Sequence, residues 1–343
     1  MSTTGAVSEA VGKVEADLAS FWKSAVDDNG TQKARAATMN FVSVSGPAEL
    51  DQLKKQMEEL AETRAGRVFL MTVDPRLAPW DLEHDVSAVC HKEGDIVVCY
   101  DRVELRFGAM AAVRAASVLS ALSLSEVPTL VEVSRGAPAV LADALAKAAD
   151  RVVIDSAHTS VARIADLSHK TSAPFADRAF VRTFTWRELT ARFFDDAPEA
   201  AKAVRKVTIT RTHAGKQDPA ALVLGWLASR LGWKLEARDK ATDAAGEAVS
   251  IELKEPTGDF GAGELTGIEL STKLGDKDLE LSVVRKDGER CVVWSRSGAR
   301  TDRHEHALGF RDEGWVLQKC VDSTESDAVY RAAALAAAEW SAK

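Results

Sequence analysis

Cys90 and Cys99 are the side chains of this sequence whose spacing most directly permits a covalent reaction. If Gly94-Asp95 forms the centre of a two-residue hairpin turn, Glu93 faces Ile96, Lys92 faces Val97, His91 faces Val98, and Cys90 faces Cys99. That last pair is of the non-hydrogen-bonded kind, with Cα atoms about 4.5 Å apart, which a disulfide can span. The two thiols are therefore a candidate redox pair. The competing reading is a reduced, structural pair, because cytosolic thiols are normally kept reduced.

Other residue patterns point to chemistry less well. A βα opening could seat a phosphate on the amides at the start of its helix. Here that turn reads Ser45-Gly46-Pro47-Ala48-Glu49, with one glycine where a dinucleotide fingerprint needs three and a proline that removes a donor. Gly258, Gly261, Gly263 and Gly267 form a second cluster, but Asp259 and Glu264 would repel phosphate, and a loop is expected. His304, Glu305 and His306 could place two imidazoles on one face of a strand, yet two ligands do not make a metal site, so a solvated polar edge is expected. Asp155-Ser156-Ala157-His158 follows a strand, where helix capping by Ser156 or Asp155 is the simpler account. No catalytic residue, cofactor-binding residue or metal ligand is assigned.

The elements that would position these residues follow from periodicity. Val7, Val11, Val14, Leu18 and Phe21 share one face of an opening helix that ends near Asp28-Asn29-Gly30 and is expected to dock on its own domain. Strand 39–44, a helix over 47–64 and strand 67–73 make a βαβ start. The hairpin 86–90 and 96–107 interrupts it, and alternation resumes with helix 110–122, strand 129–133, helix 138–148 and strand 151–154. The stretch 169–177, with Thr171, Ser172 and Pro174, reads as a linker. Strand 180–184 and a Thr185-x-x-Glu188 capping box open the second half, and Trp186, Leu189, Phe193 and Phe194 share a helix face. Asp196-Ala197-Pro198-Glu199 can cap another helix, and 207–210 reads as a strand. Asp218, Pro219 and Gly232 fit the N-cap, first position and stop of a further helix. Alternating segments 249–253, 268–272, 279–284 and 291–295, with a turn at Lys286-Asp287-Gly288, predict a largely antiparallel sheet, closed by a helix over 327–340.

The fold expected is α/β: an N-terminal Rossmann-like, mostly parallel sheet with an inserted β-hairpin over residues 1–172, then an α+β domain over 178–343. At 343 residues, two cores are the natural reading. Acidic residues outnumber basic ones 52 to 44, for a formal net charge of −8, which opposes binding to nucleic acid or anionic lipid. With no basic leader, no run of ~18 apolar residues and four scattered cysteines, a cytoplasmic protein away from membranes is expected.

Several segments together resemble the bacterial glucose-6-phosphate dehydrogenase assembly protein OpcA family. TWRELTARFFDD (Thr185 to Asp196) and GWLASRLGW (Gly225 to Trp233) carry the resemblance most strongly. ARAATMNFVSV, VSAVCHKEGDIVVCYDRVELRFGA, RVVIDSA and DAVYRAAAL extend it through nearly the whole chain. The resemblance implies a non-catalytic activator that binds glucose-6-phosphate dehydrogenase and promotes its active oligomer, affecting NADPH supply through the oxidative pentose phosphate pathway. It also implies redox-responsive activation in some members. Two segments depart from the family pattern, Glu132-Val133-Ser134-Arg135-Gly136 and Phe180-Val181-Arg182-Thr183-Phe184. On the 185–196 helix, Trp186 with Arg187 and Arg192 are candidate partner-facing residues, since Trp and Arg commonly anchor interfaces. Trp186, Phe193 and Phe194 could equally be core. The alternative is a nucleotide- or sugar-phosphate-binding enzyme or sensor using its own Rossmann-like site.

Overall fold

The computed structural model describes residues 3–23, 33–35, 37–61, 66–93, 96–195, 197–212, 218–261, 263–308, 312–322 and 328–343. The expected helix stop at Asp28-Asn29-Gly30, the turn Gly94-Asp95 and Asp196 lie outside these residues. The chain divides into two units: Met1–Asp155 with Ala162–Ala176 and Glu313–Ser326, and Ser156–Val161 with Asp177–Asp312 and Asp327–Lys343.

The first unit begins with helix α1 (Thr3–Lys23) and strands β1 (Lys33–Arg35) and β2 (Asn40–Val44). A 3₁₀ turn, Pro47–Glu49, leads into α2 (Leu50–Ala61), and β3 (Arg67–Val73), β4 (Leu82–Glu93) and β5 (Ile96–Phe107) follow. Then come α3 (Ala115–Leu122), β6 (Thr129–Val133), α4 (Ala139–Ala146), β7 (Arg151–Ile154), α5 (Val161–Lys170) and β8 (Phe175–Asp177). The strand order is β1-β5-β3-β2-β6-β7-β8, with β4 antiparallel along β5. The pairs from β5 through β3, β2 and β6 to β7 are parallel. Parallel strands covered on both faces read as continuous apolar runs, and β2 and β7 are buried throughout.

Helix α1 docks on this unit: Val7, Val14 and Leu18 join its core. Its end is tied down by Trp22, whose Nε1 donates to Asp101 Oδ1 at 2.7 Å, while Asp101 Oδ2 accepts from Arg67 Nε at 2.9 Å. The segment expected as a linker is more ordered than that reading allowed. Phe175–Asp177 adds a strand beside β7, where Val152 N donates to the Pro174 carbonyl at 3.0 Å.

The second unit opens with α6 (Arg178–Arg182) and α7 (Phe184–Arg192), not with a strand over 180–184. The reason is local: the Asp177 carboxylate accepts from Ala179 N at 2.9 Å, N-capping α6 and committing the alternating Phe-Val-Arg-Thr-Phe to helix. Thr183 and not Thr185 precedes α7, so the predicted capping box is absent. Next are α8 (Pro198–Lys202), β9 (Lys206–Arg211) and α9 (Pro219–Leu231), the last capped by Asp218 and stopped by Gly232 at φ +70°. Strands β10 (Lys234–Leu235), β11 (Lys240–Thr242), β12 (Ala248–Lys254), β13 (Leu265–Leu274), β14 (Lys277–Arg285), β15 (Arg290–Ser297) and β16 (Arg300–Ala307) complete the sheet. Their order is β10-β11-β12-β9-β13-β14-β15-β16, antiparallel except for β12 with β9. A helix without a clear sequence signal, α10 (Glu313–Asp322), returns to the first unit with Val316, Leu317 and Cys320 buried, and α11 (Ala328–Ser341) packs on α9.

One face of the second sheet is core, carrying Val207, Ile209, Leu270 and Val283. The other alternates to Lys206, Thr208, Glu269 and Ser282, a polar face on which Thr208 and Ser282 are themselves buried.

Candidate functional site

In the first unit, β2 leads to β3 and β5 on one side, and the chain then returns to β6 on the other. In an open α/β sheet that reversal leaves a crevice beyond the strands' carboxyl ends, the usual ligand site. Ser45-Gly46-Pro47 emerges from β2 there and Ser134-Arg135-Gly136 from β6, with Ser134 N donating to the Val44 carbonyl at 2.9 Å.

The crevice differs from a phosphate cradle in both shape and charge. A Cβ built on Gly46 would lie 2.8 Å from the Glu49 carboxylate, and one built on Gly136 would lie 3.3 Å from the same oxygen. Glu49 therefore lays its own carboxylate over the two glycines that a pyrophosphate would need to approach. Pro47 occupies the start of the turn and offers no N–H. Below it, Ser43 Oγ donates to Glu132 Oε2 at 3.0 Å and lies 3.3 Å from Ser134 Oγ, and both Ser43 and Glu132 are buried. Asp74, at the end of β3, is held down to about 2 by hydrogen bonds from the Arg76 side chain and backbone. Glu49 thus puts a carboxylate where an anionic ligand would sit, while the charge of Asp74 is matched by Arg76. Pro47 was legible beforehand; the role of Glu49 was not, because it requires Gly46 and Gly136 to meet across two strands.

Cys90 and Cys99 face each other in the predicted register and form a disulfide, with Cα atoms 4.1 Å apart. Cys90 is exposed and Cys99 buried. The reduced pair, the default expectation, is replaced by a covalent clip between β5 and β4, the strand against which α1 packs.

Of the predicted partner-facing residues, Trp186 is buried at 5% exposure. The Arg187 guanidinium lies 3.6 Å from the Phe180 ring centroid, donating from Nε to Thr183 Oγ1 at 2.9 Å and from NH2 to the Phe180 carbonyl at 3.3 Å. Arg192 is exposed and pairs with Glu188 at 2.7 Å. The helix thus separates an inward-directed pair from one presented arginine.

His304 and His306 lie on β16, an exposed edge strand, and no group of three or more His, Cys, Asp or Glu among the described residues could hold a metal ion. Helix α5 begins at Val161, and the Ser156 amide donates to Asp177 at 3.0 Å. No helix among the described residues is long and apolar enough to cross a membrane.

These features define a class: a Rossmann-like unit whose crevice is occupied by its own side chains, with an α+β unit built on a largely antiparallel sheet. The fold is similar to that of the transcriptional regulator Gal80p from Kluyveromyces lactis, with a TM-score of 0.51, 9% identity, and coverage of 90% of this chain and 92% of that one. Residues 57–170 match the family described as glucose-6-phosphate dehydrogenase subunit N-terminal domain, and residues 173–334 the corresponding C-terminal domain. The chain belongs to the glucose-6-phosphate dehydrogenase assembly protein OpcA family. Two proteins named OxPP cycle protein OpcA are similar: one from Synechocystis is 32% identical over 164 residues, 44% of this chain, and one from Nostoc punctiforme is 29% identical over 161 residues, 43% of this chain. In each case the match spans 34% of the relative's length.

Proposed function

We propose that this chain is a non-catalytic factor that binds glucose-6-phosphate dehydrogenase and promotes its active oligomeric form. The observation that carries the reading is the crevice of an OpcA-family chain: Glu49 covers Gly46 and Gly136, and Pro47 removes a donor. A scaffold of this shape with an acidic, self-occupied crevice favours a role in which chemistry belongs to the partner. Titrating the isolated chain with NADP, NAD and glucose 6-phosphate is expected to give no micromolar binding and no turnover. Micromolar binding with turnover would establish the alternative, an enzyme using its own nucleotide site.

Arg192 is the residue of the α7 set best placed to meet the dehydrogenase, since Trp186 and Arg187 are engaged inside the unit. Its pairing with an exposed Glu188 limits the effect of Arg192→Ala to about fivefold in affinity. A folded Arg187→Ala, Arg192→Ala double variant that activates the dehydrogenase normally would remove α7 from the interface.

The Cys90–Cys99 clip gives this reading a redox input. It closes a short loop, so its direct stabilisation is about 2–3 kcal/mol in the chain-entropy picture. Activation is expected to differ between the oxidised chain and a Cys90→Ser, Cys99→Ser variant, measured at equal concentration. Identical activation curves would leave the clip a structural one.

A further inference from the structure

The polar face of the second sheet carries an apolar feature at its β14–β16 end. Over β14, β15 and β16, a shallow depression of about 520 Å³ is lined by Val284, Val292 and Trp294 together with Arg285, Lys286, Arg296, Thr301 and Arg303. Cross-strand register builds it: Val284 faces Val292, Trp294 faces Ser282 on one side and Arg303 on the other, and Arg296 faces Thr301. The centre is apolar and the margin basic, with no carboxylate in the lining, in a chain whose formal net charge is −8.

Most of these cations are already matched within the chain. Lys286 pairs with Glu305 at 2.6 Å, Arg296 with Glu280 at 2.5 Å, and Arg285 with Glu264. Arg303 has no ion-pair partner among the described residues, although it sits directly opposite the one tryptophan of the depression. A tryptophan beside an arginine at the centre of a patch rimmed by polar groups is the composition of an interface hot spot.

We propose that this depression is the surface through which the chain docks a protein partner that presents an apolar side chain flanked by carboxylates. The apolar group would cover Val284 and Trp294, with Val292 already buried beside them, and a carboxylate would accept a bidentate bond from Arg303. A second copy of this chain fits less well, because a twofold contact through this depression brings two copies of Arg303 to one patch. The proposal rests on the reading that the chain acts by binding the dehydrogenase, and it names a docking surface besides Arg192 of α7.

The test measures binding of the full chain to its cognate glucose-6-phosphate dehydrogenase by sedimentation or interferometry, at low and raised salt. Arg303→Glu, an exposed change on an edge strand that leaves the fold intact, and Trp294→Ala are each expected to weaken binding about tenfold or more. Lys13→Glu, on α1, is expected to leave it unchanged, and raised salt is expected to weaken the wild-type complex. Wild-type binding that both variants match within twofold would overturn the docking surface and leave the functional reading intact. Absence of wild-type binding would overturn the reading itself, and this assignment with it. Dimerisation of the chain alone that Trp294→Ala abolishes, or binding to phosphatidylserine vesicles that Arg303→Glu abolishes, would likewise overturn the assignment, in favour of a second copy or a lipid surface.

Discussion

Replacing Asp101 with alanine is expected to destabilise the first unit by about 3–5 kcal/mol, the cost of breaking a buried ion pair by removing one member. Asp101 is 2% exposed and Arg67 8% exposed, and the two are joined at 2.9 Å. The same carboxylate accepts from Trp22 at 2.7 Å, and Arg67 also donates to the Leu122 carbonyl. One side chain therefore holds β3, β5, the end of α1 and the end of α3. Urea unfolding followed by tryptophan fluorescence measures the change, because Trp22 reports on this junction. Asp101→Asn is expected to cost less, since the amide oxygen can still accept while the charge is lost. Equal stability of Asp101→Ala and the wild type would show that the ion pair is not needed to hold the junction.

The second large effect is expected at Gly225→Ala. In a helix interior, alanine is ordinarily favoured over glycine by about 1 kcal/mol, so propensity alone predicts a gain. Packing reverses the sign. A Cβ at Gly225 would overlap the Ala333 carbonyl oxygen and lie 2.8 Å from Ala337 N, both backbone atoms of α11 that no rotamer change can move. Overpacking of this kind costs about 1–3 kcal/mol, occasionally more, and rigid opposing atoms place it at the upper end. We expect a net loss of about 2 kcal/mol, seen as a lower melting temperature. Gly12→Ala provides the contrast: it lies in α1, where an added methyl would meet nothing within 4 Å, and a gain of about 0.5–1 kcal/mol is expected. If both substitutions stabilise, the close α9–α11 approach is not a constraint.

Where neighbours in sequence decide the structure, the sequence was a good guide. The hairpin register follows from one turn, and β5 spans the residues expected of it. Helix α9 begins and ends where Asp218-Pro219 and Gly232 say it should. The antiparallel strands of the second unit follow from alternation, and so does the polar edge at His304-Glu305-His306. Periodicity misleads where a single cap or a tertiary partner decides. Phe180 to Phe184 alternates like a strand, yet the Asp177 cap makes it helix. Phe175–Asp177 is too short to declare itself and becomes a strand because β7 offers an edge.

The candidate site divides the same way. The poor fit of Ser45-Gly46-Pro47 to a phosphate is written in those residues themselves. That Glu49 lies over Gly46, and that Gly136 comes from another strand to meet it, depends on the sheet order. Val284 and Trp294 belong to the two segments that the predicted turn at Lys286-Asp287-Gly288 joins, whereas placing Arg303 beside Trp294 depends on the register of β15 with β16.

The most direct test of the central claim is the activity of cognate glucose-6-phosphate dehydrogenase as this chain is added, with the enzyme's oligomeric size followed in the same samples. A saturable rise in activity, accompanied by a shift to a larger assembly and with no turnover by the chain alone, is the predicted result. Unchanged dehydrogenase activity and size, with NADP-dependent turnover by the isolated chain, would contradict it.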